Sequence, residues 1–266
     1  ALRYVDFLQL IFFASLIAFF CFFIFAFLQG KLIDLFDVKI KDLLFSSLIG
    51  FLNPFLYYVI LLKAYTLLPA QLAQPLNYLW PAMLVLLSVP LLGQKLKLRS
   101  ILSVFLGLVG VYIISTRGNL FDYNIEEPLG VVLAAGSSVI WALSWILNQK
   151  DKRESQKKLF WSFFFGIIYI SLCIPFFTEF TLPELNGVLA LFYVGLFEMG
   201  ITFIIWLAAL QYTDRNDRIS NLIFLSPFLA LIFIHLILKE DIFFTTVIGL
   251  ISIIAGIFIQ QYSLKK

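Results

Sequence analysis

Nine apolar runs, each near 20 residues, occupy most of this chain: roughly 7–28, 43–67, 71–92, 99–116, 128–148, 158–177, 185–210, 219–238 and 245–263. A run of that length crosses the hydrocarbon core of a bilayer as a helix. None shows the apolar–polar alternation of a barrel strand. Inside lipid the backbone must satisfy its own hydrogen bonds, so these runs are expected to be helices with the bilayer as their solvent. The chain is 62% hydrophobic and only 13% charged, against roughly 25% charged in a soluble domain. The longest polar stretches, 29–43 and 117–128, are connectors, and no soluble domain is expected. The fold class is therefore an all-α integral membrane bundle with nine transmembrane helices.

The second half repeats the first. Pro81 and Gln94 have the same spacing as Pro227 and Glu240, and Gly110 and Gly256 follow Gln94 and Glu240 at equal distances. Upstream, Gly50 matches Gly195 and Ala64 matches Ala209 once one residue is allowed for an insertion. Internal repeats in an apolar chain point to a membrane transporter with its substrate site at the repeat interface. The expected division is a first repeat over 1–117 and a second over 124–266, within one membrane domain.

Lys and Arg are distributed unevenly among the connectors. One side holds 15 of them, in 31–41, 95–99, 150–158, 215–218 and 265–266; the other holds only Arg3, Arg117 and Lys239. The positive-inside rule makes the first side, and the C-terminus, cytoplasmic. A unit reappears inverted only if it contains an odd number of spans. The second half has five runs and the first has four, with 7–28 pairing by position with 158–177. A leading helix is therefore expected to be missing from this sequence. The alternative is a genuine nine-helix protein with its N-terminus outside. The net charge of +3 reflects the asymmetry between faces and implies no nucleic-acid partner.

Polar and proline positions inside the runs are the candidates for function, because an ionisable group at membrane depth costs at least about 2.5 kcal/mol and usually faces a cavity or a partner. Glu198 lies thirteen residues into 185–210, roughly 20 Å by helical rise. Asn53 is its repeat mate, and each follows a glycine by three residues. Thr202 and Trp206 share a helical face with Glu198, as Tyr57 does with Asn53. The runs 43–67 and 185–210 are expected to face each other about a pseudo-two-fold axis, bringing Asn53 and Glu198 to one central space. Glu198 is also the candidate for proton coupling; the competing reading is a neutral carboxyl hydrogen-bonded between helices. The densest cluster is Gln74–Pro75–Leu76–Asn77–Tyr78–Leu79–Trp80–Pro81. Pro81 should bend its helix by denying the Asn77 carbonyl a donor. Gln74, Asn77, Tyr78, Trp80 and Pro81 are thus expected to line a cavity, with Trp141 and Pro227 as further lining candidates. Glu240 and Gln94 are expected to cap the turns that follow them. Lys63 is expected to snorkel, and His235 to be interfacial.

The chain has no Gly-rich phosphate loop and no His–Glu metal motif, and its single histidine offers no nucleophile–base pair. No enzyme activity, cofactor or metal is expected. Cys21 and Cys173 lie in separate apolar runs and read as free structural thiols.

The inverted repeat, with a proline-bearing helix ending in Gly93–Gln94–Lys95 and a glycine-containing helix after it, resembles the drug/metabolite transporter superfamily, specifically its EamA-type members. Asn77–Tyr78–Leu79–Trp80–Pro81 followed by Gly93–Gln94–Lys95 is similar to the aromatic amino acid exporter branch. Gln94, where the family usually has Glu, and Ser103, often Gly, depart from the pattern at a helix end and a packing position. The resemblance implies a ten-helix bundle with cytoplasmic termini, its first helix absent here. It also implies a central cavity and export of amino acids or other small metabolites by alternating access. An aromatic, sparsely charged cavity suits an amphipathic solute; a heavily phosphorylated one would need several buried cations. A channel for a small neutral solute and a non-transporting membrane scaffold are the competing classes.

Overall fold

The structure is a computed structural model that describes residues 1–93, 95, 98–116, 127–179, 181–205 and 226–261. The described residues form α1 (Phe7–Leu28), α2 (Leu32–Phe36), α3 (Ile40–Leu67), α4 (Ala70–Leu92), α5 (Leu98–Ser115), α6 (Pro128–Lys150), α7 (Ser155–Phe177), α8 (Leu185–Ile205), α9 (Ser226–Leu238) and α10 (Phe244–Gln261). Seven of these are long and apolar enough to cross a membrane, and α9 and α10 are shorter apolar helices. All nine expected runs are thus helical in their described parts, apart from short interruptions at Asn53 in α3 and Tyr78–Leu79 in α4. The short α2 lies in the stretch read from sequence as a plain connector. It is held because the Trp161 indole donates to the Leu35 carbonyl (2.8 Å) and Lys157 to the Asp37 carbonyl (2.8 Å).

The helices group into two compact units that interleave the sequence halves. One contains the described residues of 1–59 and 147–214, the other those of 60–146 and 215–266. In the first unit α1 packs along α7 and α8, and the N-terminal part of α3 packs on α7. The crossings are set by small residues. A Cβ on Gly50 would overlap the Ser162 carbonyl oxygen of α7, and one on Gly195 would come within 2.9 Å of the Ala14 carbonyl oxygen of α1. Gly50 and Gly195 are repeat mates, and Ala14 and Ser162 belong to the runs paired by position. Each half therefore lends its α3-type helix to the other half's α1-type helix. At the start of α7, Arg153 grips Asp151 through two nitrogens (2.5–3.0 Å) and donates to Ser46 of α3 (2.8 Å). Burial pushes the Asp151 carboxyl up, but the Arg153 hydrogen bonds and charge outweigh it and hold it below the usual carboxylate range.

In the second unit α5 and α10 run against each other over most of their lengths. A Cβ on Gly110 would lie 2.5 Å from the Gly249 carbonyl oxygen, and one on Gly256 would lie 2.7 Å from the Ser103 carbonyl oxygen. Shifting Gly110 and Ser103 by 146 positions gives Gly256 and Gly249. The two contacts exchange under the repeat, which is the self-complementary relation of a two-fold interface. The crossing is antiparallel, as inverted units require.

The same register explains how α4 and α9 end. Gly93 closes α4 with φ +67°, and Lys239, 146 positions later, closes α9 with φ +60°. Glycine takes this left-handed conformation freely, whereas a residue with a Cβ is disfavoured there by about 1 kcal/mol. Lys239→Gly is accordingly expected to raise stability by up to about 1 kcal/mol, read as a higher thermal midpoint of the detergent-solubilised protein. A lower midpoint would show that the lysine side chain contributes more than the backbone conformation costs.

Candidate functional site

Two of the membrane-crossing helices depart from regular α-geometry at matched positions in the first unit. In α3 the helix is interrupted over Phe51–Leu56, where Asn53 adopts an extended conformation (φ −150°, ψ 118°) ahead of the cis-linked Pro54. The chain resumes with the Tyr57 N–H donating to the Leu52 carbonyl, five residues back. In α8 the segment Val194–Ile201 is π-helical, and the Thr202 N–H donates to the Phe197 carbonyl, again five residues back. Leu52 and Phe197, and Tyr57 and Thr202, are each 145 positions apart, the spacing that pairs Asn53 with Glu198. π-Bulges of this kind are frequent at functional sites, because the widened turn re-aims side chains and frees backbone groups.

The side chains there differ in their partners. Asn53 is buried, and its Oδ1 has no hydrogen-bond partner among the described residues. Tyr57 and Tyr58 are buried with their rings edge to face, 4.9 Å between centroids. The Thr202 hydroxyl donates to the Phe197 carbonyl, which also accepts the Thr202 N–H. Glu198 is exposed although its neighbours Met199 and Gly200 are buried. Its carboxylate lies within electrostatic reach of the buried Tyr58 hydroxyl. Trp206 lies outside the described residues. Asn53, Tyr57, Glu198 and Thr202 therefore fall together in the first unit.

The remaining candidates belong to the second unit. The expected bend in α4 is a break: the first segment ends at Asn77 and the second begins at Trp80, separated by Tyr78 and Leu79. Pro81 lies in the first turn of the new segment, so the interruption falls in the turn between Pro81 and Asn77, whose carbonyl it cannot serve. Its missing N–H is harmless there, since a helix start has unbonded donors anyway. The Asn77 amide donates to the Ser137 hydroxyl of α6 (2.7 Å), which donates in turn to the Ala134 carbonyl (2.6 Å). The Tyr78 hydroxyl pairs with the Ser226 hydroxyl beside the buried Pro227 (2.9 Å). Gln74 keeps a buried Oε1 without a partner among the described residues, and Trp80 is half-buried. Trp141 is half-buried and packs edge to face on Trp145, 6.2 Å between centroids. Tyr58, Ser137 and Ser226 were not singled out from sequence. Serines and tyrosines are too common in apolar helices to be noticed without a partner.

Glu240 does not cap the turn that follows it. Its carboxylate accepts from the Ala70 and Gln71 N–H groups (both 3.1 Å), capping the N-terminus of α4. Gln71 completes the junction by donating to the Asp241 carbonyl (2.7 Å) and accepting from the Phe243 N–H (2.9 Å). His235 contacts the Glu240 carbonyl through Nδ1 (2.9 Å). Gln94 lies outside the described residues, and Lys63 is exposed.

Comparison with known proteins accords with this architecture. The profile of the EamA-like transporter family matches residues 1–116 and 128–260. An uncharacterized transporter of Clostridium kluyveri is 30% identical over 185 residues, covering 66% of this chain and 58% of the relative. The aromatic amino acid exporter YddG of Ancylobacter novellus is 26% identical over 151 residues, 56% of this chain and 53% of that protein. The protein PecM of Dickeya dadantii is 25% identical over 220 residues, 80% of this chain and 72% of that protein. A solved crystal structure superposes with a TM-score of 0.68 over 97% of this chain and 88% of its own, at 20% identity, a likeness of fold. With a family match in both halves and seven described helices fit to cross a bilayer, the chain belongs to the EamA-like transporter family and is a multi-pass membrane protein.

Proposed function

We propose that the chain is a secondary transporter that exports small amphipathic metabolites, with amino acids, the aromatic ones included, as its substrate class. Transport proceeds by alternating access in the cytoplasmic membrane, with the C-terminus inside. The observation that carries the reading is the pair of matched helix interruptions. Each sits in a membrane-crossing helix, and each carries a polar side chain, Asn53 or Glu198, with no hydrogen-bond donor to its side-chain oxygens among the described residues. Irregular backbone at membrane depth is tolerated where it is buried in protein or lines a water-filled cavity. The name of the Ancylobacter relative supports aromatic amino acids, and the Lys and Arg asymmetry supports the orientation. The test is uptake of a panel of radiolabelled amino acids into proteoliposomes with and without a pH gradient. Saturable uptake of aromatic members, competed by unlabelled substrate, is expected; no saturable uptake of any member would overturn the reading.

Trp80 is assigned to substrate stacking. Trp80→Ala is expected to weaken binding of an aromatic substrate about five- to tenfold, the loss of one aromatic contact, while the thermal midpoint of the purified protein changes little. Equal affinity in a well-expressed Trp80→Ala protein would remove Trp80 from the site.

A further inference from the structure

The unsatisfied polar atoms of the first unit share a chemical character that narrows the solute. Glu198 is exposed in the π-helical part of α8, and its carboxylate has no hydrogen-bond or ion-pair partner among the described residues. The Asn53 Oδ1, at the matched interruption of α3, is buried and equally without a donor. Both are acceptors. Among the described residues of this unit, Lys and Arg within spans occur only in the first turns of α3 and α7 and the last turn of α6. Beyond those end turns, the described part of this unit places no cation along its spans to receive a carboxylate; Lys63 lies in the part of α3 that belongs to the second unit.

An unpaired carboxylate at membrane depth requires a cation or a proton. An alkylammonium supplies both a charge and N–H donors, and the buried Tyr58 hydroxyl lies within electrostatic reach of the Glu198 carboxylate. We propose that Glu198 is the receptor for the protonated amine of the solute, so that the transported class is defined by an ammonium group on an apolar or aromatic body and does not require a carboxylate. The proposal rests on the transport reading above and redefines its substrate class by the ammonium group alone, widening it from amino acids to primary amines with an apolar or aromatic body.

The test uses three ligands of one shape with the purified full chain in nanodiscs at neutral pH: phenylalanine, phenethylamine and 3-phenylpropionate. The expected result is phenethylamine binding within about threefold of phenylalanine, and 3-phenylpropionate binding at least about tenfold more weakly. Glu198→Gln is expected to weaken phenethylamine at least about tenfold and leave 3-phenylpropionate unchanged. The ligand comparison needs no variant, so it stands even if Glu198→Gln fails to fold. If 3-phenylpropionate binds as well as phenylalanine while phenethylamine does not, the ammonium assignment is overturned and the transporter reading stands. Equal binding of all three likewise overturns it, leaving Glu198 to a proton alone. If none of the three binds, the aromatic substrate class of the transporter reading fails, and the ammonium assignment with it.

Discussion

Gly50→Ala is expected to destabilise the protein by about 1–3 kcal/mol, the cost of forcing extra volume into a packed contact. The added methyl would overlap the Ser162 carbonyl oxygen, with the Gly166 backbone nitrogen 3.0 Å away. Both obstacles are backbone, so no rotamer change relieves them and α7 must move as a body. Gly136→Ala is the matched control. Gly136 lies inside α6, and nothing stands within 4 Å of its added Cβ. Alanine gains up to about 1 kcal/mol over glycine in a helix interior, a gain common to both substitutions. The difference between the two variants therefore isolates the α3–α7 crossing. Retention of monodisperse protein across a temperature series in detergent measures it. If Gly50→Ala tracks Gly136→Ala, the close approach is not a determinant of stability.

The membrane class was legible because lipid leaves the backbone so few choices. The described parts of all nine apolar runs are helices, interrupted only at Asn53 and Tyr78–Leu79, with described ends within about three residues of the sequence reading. The repeat was legible too, and its spacing proved to carry geometry. The residues that match by number, Gly110 with Gly256 and Gly50 with Gly195, are those at which helices cross. What sequence did not convey was which helix each would cross. A glycine marks a close approach without naming its partner, and here the partner comes from the other half of the chain.

Proline marked the interruptions but not their form: the one in α4 falls between Asn77, whose carbonyl Pro81 cannot serve, and Pro81 itself, and the helix restarts at Trp80. Asn53 and Glu198 were matched by spacing alone, and both lie in widened or broken helix. In that pair, as in Gln94 and Glu240, the first half carries an amide and the second a carboxylate.

Glu240→Ala is expected to cost about 1–3 kcal/mol, because it removes a charged cap from the start of α4 and leaves two partly buried N–H groups without an acceptor. The carboxylate also meets the positive end of the helix, an attraction that an amide only partly retains, so Glu240→Gln should fall between alanine and the native residue. Gln71 holds the same junction from the opposite side through Asp241 and Phe243. Loss of either residue loosens the shared geometry on which the other depends. Gln71→Ala and Glu240→Ala should therefore combine to less than the sum of their separate effects, as groups in one hydrogen-bond network do. Unfolding midpoints of the four proteins in this cycle, measured in one detergent, give the coupling. Strict additivity would mean that Glu240 and Gln71 tie down separate pieces of chain, and an unchanged midpoint in Glu240→Ala would mean that the start of α4 is held elsewhere.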